Sequence, residues 1–242
     1  MKHEEYARMF AAEEMQWWYA GMRRISRALL DRHFTPRPGA RLLDAGCGTG
    51  NNLVHLADLG APVGLDLSEE ALRFCRSRRV TVARGSLLHL PFRDASFDLV
   101  TSFDVLYHRW VADDGAAVRE LARVLRPGGL LLVRVPALKL LWGAHDEAVL
   151  SRKRYTRAEV ETLLRGAGLD VLRASYCNTL LFPLLLLRRT LDRLLDRHGS
   201  DVGFLPAPLE SLFRGLLGIE ARLVPHVSLP IGASVTALAR RR

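Results

Sequence analysis

The residues best suited to chemistry in this chain run together as Asp44-Ala45-Gly46-Cys47-Gly48-Thr49-Gly50-Asn51-Asn52. Glycines at alternate positions let the backbone turn tightly and let a ligand approach it, because no Cβ intervenes. A helix opening directly afterwards would turn unpaired N–H groups toward a polar ligand group. Asp66 follows Gly46 by 20 residues and ends a second apolar stretch, Pro62-Val63-Gly64-Leu65-Asp66. That spacing suits a carboxylate on the ribose hydroxyls of a nucleoside cofactor. The loop reads G-x-G-x-G rather than the G-x-G-x-x-G of a nicotinamide binder.

The elements that must hold these groups follow from the pattern around them. Residues 41–45 form a short apolar strand, and a helix follows near 51–59. Strand 62–66 leads to a helix opening at Ser68, a good N-cap, with Glu69 and Glu70 favourable in its first turn. Residues 80–83 form a third strand. Residues 97–103 form a fourth, apolar enough to be buried on both faces. A helix over 115–125 stops at Pro127-Gly128-Gly129, before a fifth strand at 130–135. Thr156-Arg157-Ala158-Glu159 is a capping box, starting a helix that ends near Gly166 or Gly168 and precedes strand 169–176. Residues 1–34 read as helical. Alternating strands and helices predict a parallel sheet with right-handed crossovers.

The loop with its preceding strand, Leu42-Leu43-Asp44-Ala45-Gly46-Cys47-Gly48-Thr49-Gly50, resembles the first motif of the class I S-adenosylmethionine-dependent methyltransferases. The likeness continues through Gly64-Leu65-Asp66-Leu67-Ser68, then Gly85-Ser86-Leu87-Leu88-His89-Leu90-Pro91-Phe92 and Ser96-Phe97-Asp98-Leu99-Val100. It ends with Glu120-Leu121-Ala122-Arg123-Val124-Leu125-Arg126-Pro127-Gly128-Gly129, all in the family's order. The closest grouping is methyltransferase type 11. The resemblance implies an α/β, doubly wound, mostly parallel seven-stranded sheet of Rossmann-like form, with an antiparallel last strand. Residues 234–239 are the candidate for that strand, which makes 178–230 a helical insertion or cap. The implied organisation is a helical segment at 1–34, an α/β cofactor-binding core at 35–177, the insertion at 178–230 and a terminal strand at 231–242.

The resemblance also implies S-adenosyl-L-methionine as cofactor and gives residues their roles. Gly46, Gly48 and Gly50 would lie against its methionine part, with Cys47 and Asn51 also cofactor-binding. Asp44 would orient its amino group, directly or through water. Asp66, with Leu67 beside it, would accept both ribose hydroxyls. Ser86 stands where many relatives carry an adenine-binding aspartate, and Leu87 would offer its backbone N–H. Phe103 and Asp104 would face the sulfonium end.

Methyl transfer from a sulfonium needs a positioned nucleophile and, for a neutral acceptor, somewhere to send a proton. Asp104-Val105-Leu106-Tyr107-His108 resembles the Glu-x-x-Glu-His segment of ubiquinone-pathway O-methyltransferases, which binds a divalent cation. Here Tyr107 replaces the middle carboxylate and is a poor ligand for a hard cation, so no metal is expected. Two readings stand for His108, a base or a packing residue. A second candidate is Trp142-Gly143-Ala144-His145-Asp146, followed by Ser151-Arg152-Lys153-Arg154-Tyr155, similar to a segment of type 11 relatives. His145 with Asp146 could act as a base, Tyr155 is a further catalytic candidate, and Arg152 and Arg154 could hold an anionic acceptor. The competing reading is a structural loop tied down by its own ion pairs. Glu13-Glu14-Met15-Gln16-Trp17-Trp18-Tyr19 resembles the opening segment of the same relatives. It reads either as a cover over the cofactor or as helix-docking core.

The chain has 242 residues, nearly half of them hydrophobic, which is enough for a full core and argues against disorder. Only Lys2, Lys139 and Lys153 are lysines, so arginine supplies nearly all of the 35 basic residues behind the net charge of +9. That charge would attract phosphates, anionic lipids or nucleic acid, or it reflects a composition rich in arginine codons. Cys47, Cys75 and Cys177 form no disulfide or metal spacing, as expected of a reducing, cytoplasmic setting. The N-terminal residues carry no apolar signal core. The longest apolar run, 179–187, is about half a membrane span, so no integral membrane segment is expected and a peripheral contact stays open. Arg188, Arg189, Arg193 and Arg197 in this region favour a small or amphipathic acceptor, lipid-like or phosphate-bearing. The alternatives are a nucleic-acid methyltransferase, disfavoured by the absence of a base-methylating or RNA-binding motif, and a cofactor-binding protein without catalysis. The oligomeric state and the atom methylated are not written in the sequence.

Overall fold

A computed structural model describes residues 3–195 and 205–242. In chain order the elements are α1 (His3–Ala12), α2 (Trp17–His33), β1 (Arg41–Ala45), α3 (Asn51–Leu56), β2 (Ala61–Asp66), α4 (Glu69–Ser77), β3 (Val82–Arg84) and β4 (Phe97–Phe103). They continue as α5 (Asp114–Val124), β5 (Leu125–Pro136), α6 (Ala144–Ala148), α7 (Arg157–Gly166), β6 (Leu169–Cys177), α8 (Phe182–Leu194), α9 (Ala207–Leu223) and β7 (Ser234–Arg241). The seven strands form one sheet in the order β3-β2-β1-β4-β5-β7-β6. β7 runs antiparallel between β5 and β6, while the pairings among β1 to β5 are parallel. The expected doubly wound, mostly parallel seven-stranded sheet with an antiparallel last strand is therefore present.

The local signals operate where they were read. Ser68 caps α4 by accepting from the Ala71 N–H at 3.3 Å, and Thr156 with Glu159 closes a capping box on α7. β4 is buried at every position. Several boundaries differ from expectation. Within the expected helical segment the described residues 3–33 form two helices with a break at 13–16. β3 starts two residues later than expected. β5 begins at Leu125 rather than 130, because Leu125 pairs with Phe97 before the register shifts to Leu99 opposite Leu130. The Pro127-Gly128-Gly129 turn is thus carried inside the strand as an irregularity, with Gly128 at φ +78°.

Two apolar layers sandwich the sheet. On one face Ile25 and Leu29 of α2 and Leu217 and Ala221 of α9 pack on Leu42, Leu99, Leu132 and Leu238. On the other, α5 and α7 cover Leu43, Val100, Leu131 and Val133. α9 is therefore built into the core layer, although it lies within 178–230. A Cβ on Gly21 would sit 2.2 Å from Leu217 Cδ1, so α2 and α9 meet this closely only with glycine there. Glu220, fully buried, accepts from the N–H groups of Asn178 (2.7 Å) and Leu180 (2.9 Å), tying α9 to the corner after β6. Glu210 accepts from the Trp17 N–H at 2.8 Å and so serves the open end of α2. α8 is held differently. Arg193 donates from Nη2 to the carbonyls of Leu140 (2.6 Å) and Trp142 (2.9 Å), hooking the helix to the single turn Lys139–Leu141. Arg197 lies outside the described residues.

Candidate active site

The strand order reverses between β1 and β4, and a cavity of about 700 Å³ opens beyond the carboxyl ends of these strands. Open α/β sheets bind ligands at that position because the loops after neighbouring strands diverge there.

The glycine loop forms one wall. Gly46, Gly48 and Gly50 all have positive φ (+85°, +53° and +84°), which a side chain would strain. Gly46, Cys47, Gly48 and Asn51 line the cavity. Gly50 does not. It caps α3 in a left-handed conformation, so its part is to shape the turn. Asp66 lies at the end of β2 with Leu67 beside it on the wall. Its Oδ2 accepts from the Gly48 N–H (2.9 Å) and its Oδ1 from the Ser68 N–H (2.8 Å). Burial raises its pKa, and those two N–H groups oppose the rise. Each oxygen keeps a lone pair for a further donor.

Asp44 is fully buried beneath the loop and is not part of the cavity wall. Its Oδ1 accepts from the Thr101 hydroxyl at 2.7 Å, while its Oδ2 has no hydrogen-bond partner. Burial pushes its carboxyl up to about 6, against the Thr101 hydrogen bond. Ser86 and Leu87 line the cavity, and the Ser86 hydroxyl accepts from the Leu88 N–H at 3.2 Å.

Phe103 and Asp104 close the next side. Asp104 has φ +57° and pairs with Arg134 of β5 at 2.6 Å. The Arg134 guanidinium lies over the rings of Phe103 (4.8 Å) and Trp18 (5.1 Å). Arg134 was missed in the sequence, although an arginine inside the apolar run Leu130–Val135 is a legible signal. The segment at 13–19 divides its work. Glu13 is buried, and both its oxygens lie within 2.7 Å of the Thr49 hydroxyl of the glycine loop. Arg78 joins it at 2.7 Å. Burial raises the Glu13 pKa, and the Thr49 and Arg78 contacts oppose that. Trp17 packs edge-on against Phe213 of α9 and, with Trp18 and Tyr19, lines the cavity. Tyr6 and Met9 of α1 also reach the wall, which the sequence did not indicate.

The acceptor candidates separate into two groups. His108 and His145 both line the cavity, and each has a buried Nδ1 with no hydrogen-bond partner. Burial pushes His108 down to about 4, so its imidazole is neutral at pH 7. Tyr155 does not reach the cavity. It is fully buried, with its hydroxyl 3.0 Å from the Leu106 carbonyl and 2.8 Å from Asp114. Asp146 does not orient His145. It accepts from Arg154 Nε (2.8 Å) and Nη2 (2.9 Å) and from the Gly143 N–H (2.9 Å). Arg154 is thereby engaged, and Arg152 and Lys153 pair with Asp114 at 3.4 and 2.9 Å. The 151–155 segment is thus held by its own ion pairs. Among the described residues no group of three His, Cys, Asp or Glu side chains could hold a metal ion, and no helix is long and apolar enough to cross a membrane.

Comparison with known proteins bears on the glycine-loop half. Residues 43–133 match a family described as a methyltransferase domain. A probable S-adenosylmethionine-dependent methyltransferase of Mycobacterium tuberculosis is 43% identical over 178 residues, 71% of this chain and 61% of that protein. A demethylmenaquinone methyltransferase of Corynebacterium kroppenstedtii is 36% identical over 140 residues, 54% of this chain and 60% of that one. The chain thus spans about three fifths of the length of these curated relatives. The solved structure of a Thermotoga maritima protein, described as a SAM-dependent methyltransferase, covers 99% of this chain and 95% of its own. It has a TM-score of 0.62 at 20% identity, a likeness of fold.

Proposed function

We propose, from the match of residues 43–133 to a methyltransferase domain and the likeness to S-adenosylmethionine-dependent methyltransferases, that the chain is a class I methyltransferase that binds S-adenosylmethionine in this cavity and methylates an amphipathic acceptor. The observation that carries the reading is Asp66. Its two oxygens are fixed by two backbone N–H groups and retain lone pairs toward the cavity beside the glycine loop.

The residues present fit that cofactor. The orphaned Asp44 Oδ2 is a buried acceptor awaiting a donor, as an amino group or a bridging water would supply. Asp66 would hold the ribose, Gly46, Cys47, Gly48 and Asn51 the methionine part, and Ser86 with Leu87 the adenine. Bound there, S-adenosylmethionine supplies a methyl group already activated on a sulfonium. Phe103, Trp18 and Tyr19 then serve to exclude water, and Asp104 is kept in place by Arg134. His145 is the proposed proton acceptor. Burial disfavours the imidazolium of His108.

The acceptor side of the cavity supports an apolar body with a polar end. Tyr107, Trp110, Leu141, Val149 and Leu185 line it, with Arg188 and Arg189 of α8 contributing cationic groups. That a relative is named for methylating demethylmenaquinone agrees with a lipid-like acceptor. The test is incubation of the chain with methyl-labelled S-adenosylmethionine and a bacterial lipid extract. Label in an extractable lipid, reduced by His145→Gln more than by His108→Gln, is the expected result. Label only in nucleic acid added as a competitor would refute the acceptor reading.

A further inference from the structure

α8 carries more exposed apolar surface than its place over the cavity explains. Leu184, Leu187, Leu191 and Leu194 are 49, 56, 45 and 76% exposed, at spacings of three, four and three residues. Those spacings put all four on one stripe of the helix. The side toward the protein is a different one, where Phe182 is buried and Leu185, Arg188 and Arg189 line the cavity. Leu140 adds to the exposed surface beside the helix, because the Arg193 hook brings its carbonyl to 2.6 Å. A contiguous leucine stripe of this kind marks a contact with another phase or protein.

We propose that α8 lies on an anionic membrane surface, with the leucine stripe entering the boundary between headgroups and acyl chains. Charge decides between this and a helical partner. α8 carries Arg188, Arg189 and Arg193 against one acid, Asp192, on a chain of net charge +9. A leucine face on a helix of net positive charge is the composition of an interfacial amphipathic helix. Anionic headgroups attract that charge, whereas a second copy of the helix would oppose like with like. Its 13 residues are also fewer than two heptads, too short to pair stably by itself. α9 provides an internal contrast. Leu209, Leu212, Ile219 and Leu223 are exposed on it too, but with Glu220 buried its surface sets only Arg214 and Arg222 against Glu210, less positive charge than α8 carries. Docking through α8 would place the cavity, which the same helix lines, at the lipid boundary. The docking itself does not depend on the proposed reaction.

The experiment is flotation of the full chain with vesicles of phosphatidylcholine alone or mixed with phosphatidylglycerol, which needs no turnover. The chain should float with the anionic vesicles, less at high salt, and remain behind with phosphatidylcholine alone. The double variant Leu187→Glu, Leu191→Glu should bind roughly tenfold or more weakly. Leu212→Glu on α9 should bind like wild type. Melting followed by circular dichroism checks that both variants are folded. No flotation with anionic vesicles would overturn the proposal, as would binding unaffected by the α8 variant or equally reduced by the α9 variant. A wild-type dimer that sedimentation shows split by Leu187→Glu, Leu191→Glu would assign the stripe to self-association instead.

Discussion

The two sides of the cavity use their carboxylates in opposite ways. Beside the glycine loop, Asp66 is held by backbone N–H groups and Asp44 by one hydroxyl, so both keep acceptor capacity in reserve. Toward α6 and the 151–155 segment, Asp104, Asp146 and Asp114 each pair with arginine or lysine, Asp146 through both oxygens and the other two through Oδ2. A carboxylate fixed by the backbone remains available to a ligand, whereas one closed in a bidentate pair serves as a strut. The contrast separates a binding wall from a scaffold wall.

The largest effect should come from breaking the scaffold. Arg154 and Asp146 are both nearly buried, so Arg154→Ala leaves an uncompensated buried charge. It should cost about 3–5 kcal/mol of stability, measured by denaturant unfolding. Loss of cofactor affinity without loss of stability would place Arg154 on the binding side instead.

The next contrast is in pH. His108 is neutral when folded down to about pH 4, while an unfolded histidine takes up its proton near 6.5. Its folded pKa is depressed, so acidification favours the unfolded chain. Stability should fall by up to about 3 kcal/mol as pH drops from 6.5 to 4 on this account, and His108→Asn should flatten that limb. Asp44 works in the other direction, because its raised pKa disfavours the ionised form in the folded chain. Cofactor affinity should therefore fall as pH drops below about 6 and protons compete for Asp44. Asp44→Asn should bind more weakly at pH 8 and lose that dependence, as read by calorimetry.

Smaller effects sharpen the binding wall itself. Asp66→Ala removes an acceptor for two ribose hydroxyls and frees two backbone N–H groups. It should cost about 1–3 kcal/mol in S-adenosylhomocysteine binding. Ser86→Ala should cost less than about 1 kcal/mol, since one neutral hydroxyl is lost and the Leu88 N–H can turn to water. A Ser86 effect larger than the Asp66 effect would reverse the order of importance along this wall.

The same contrast explains what could be read from the chain. The glycine loop and Asp66 were legible because local backbone geometry demands those residue types at that spacing. The capping signals at Ser68 and Thr156 were legible for the same reason. The antiparallel β7 came through the family resemblance, since Ser234–Arg241 alone does not state its partners. The partners of the Tyr155 hydroxyl were not legible, because Leu106 and Asp114 are distant in sequence. The Asp146–Arg154 clamp was open to two readings, because His145 is the sequence neighbour and Arg154 the spatial one. The insertion looked like a single unit, yet α9 became core and α8 remained outside. Both helices are leucine-rich, and the fit of Leu217 against Gly21 with the buried Glu220 holds α9 in the core.

The central claim is that the glycine-loop wall is built for S-adenosylmethionine rather than for another nucleoside. Calorimetric titration of S-adenosylhomocysteine into the wild-type chain, with NAD and ATP as competitors, tests it most directly. The account predicts binding at one site that neither competitor displaces at comparable concentration. No binding of S-adenosylhomocysteine, or its displacement by NAD, would contradict it.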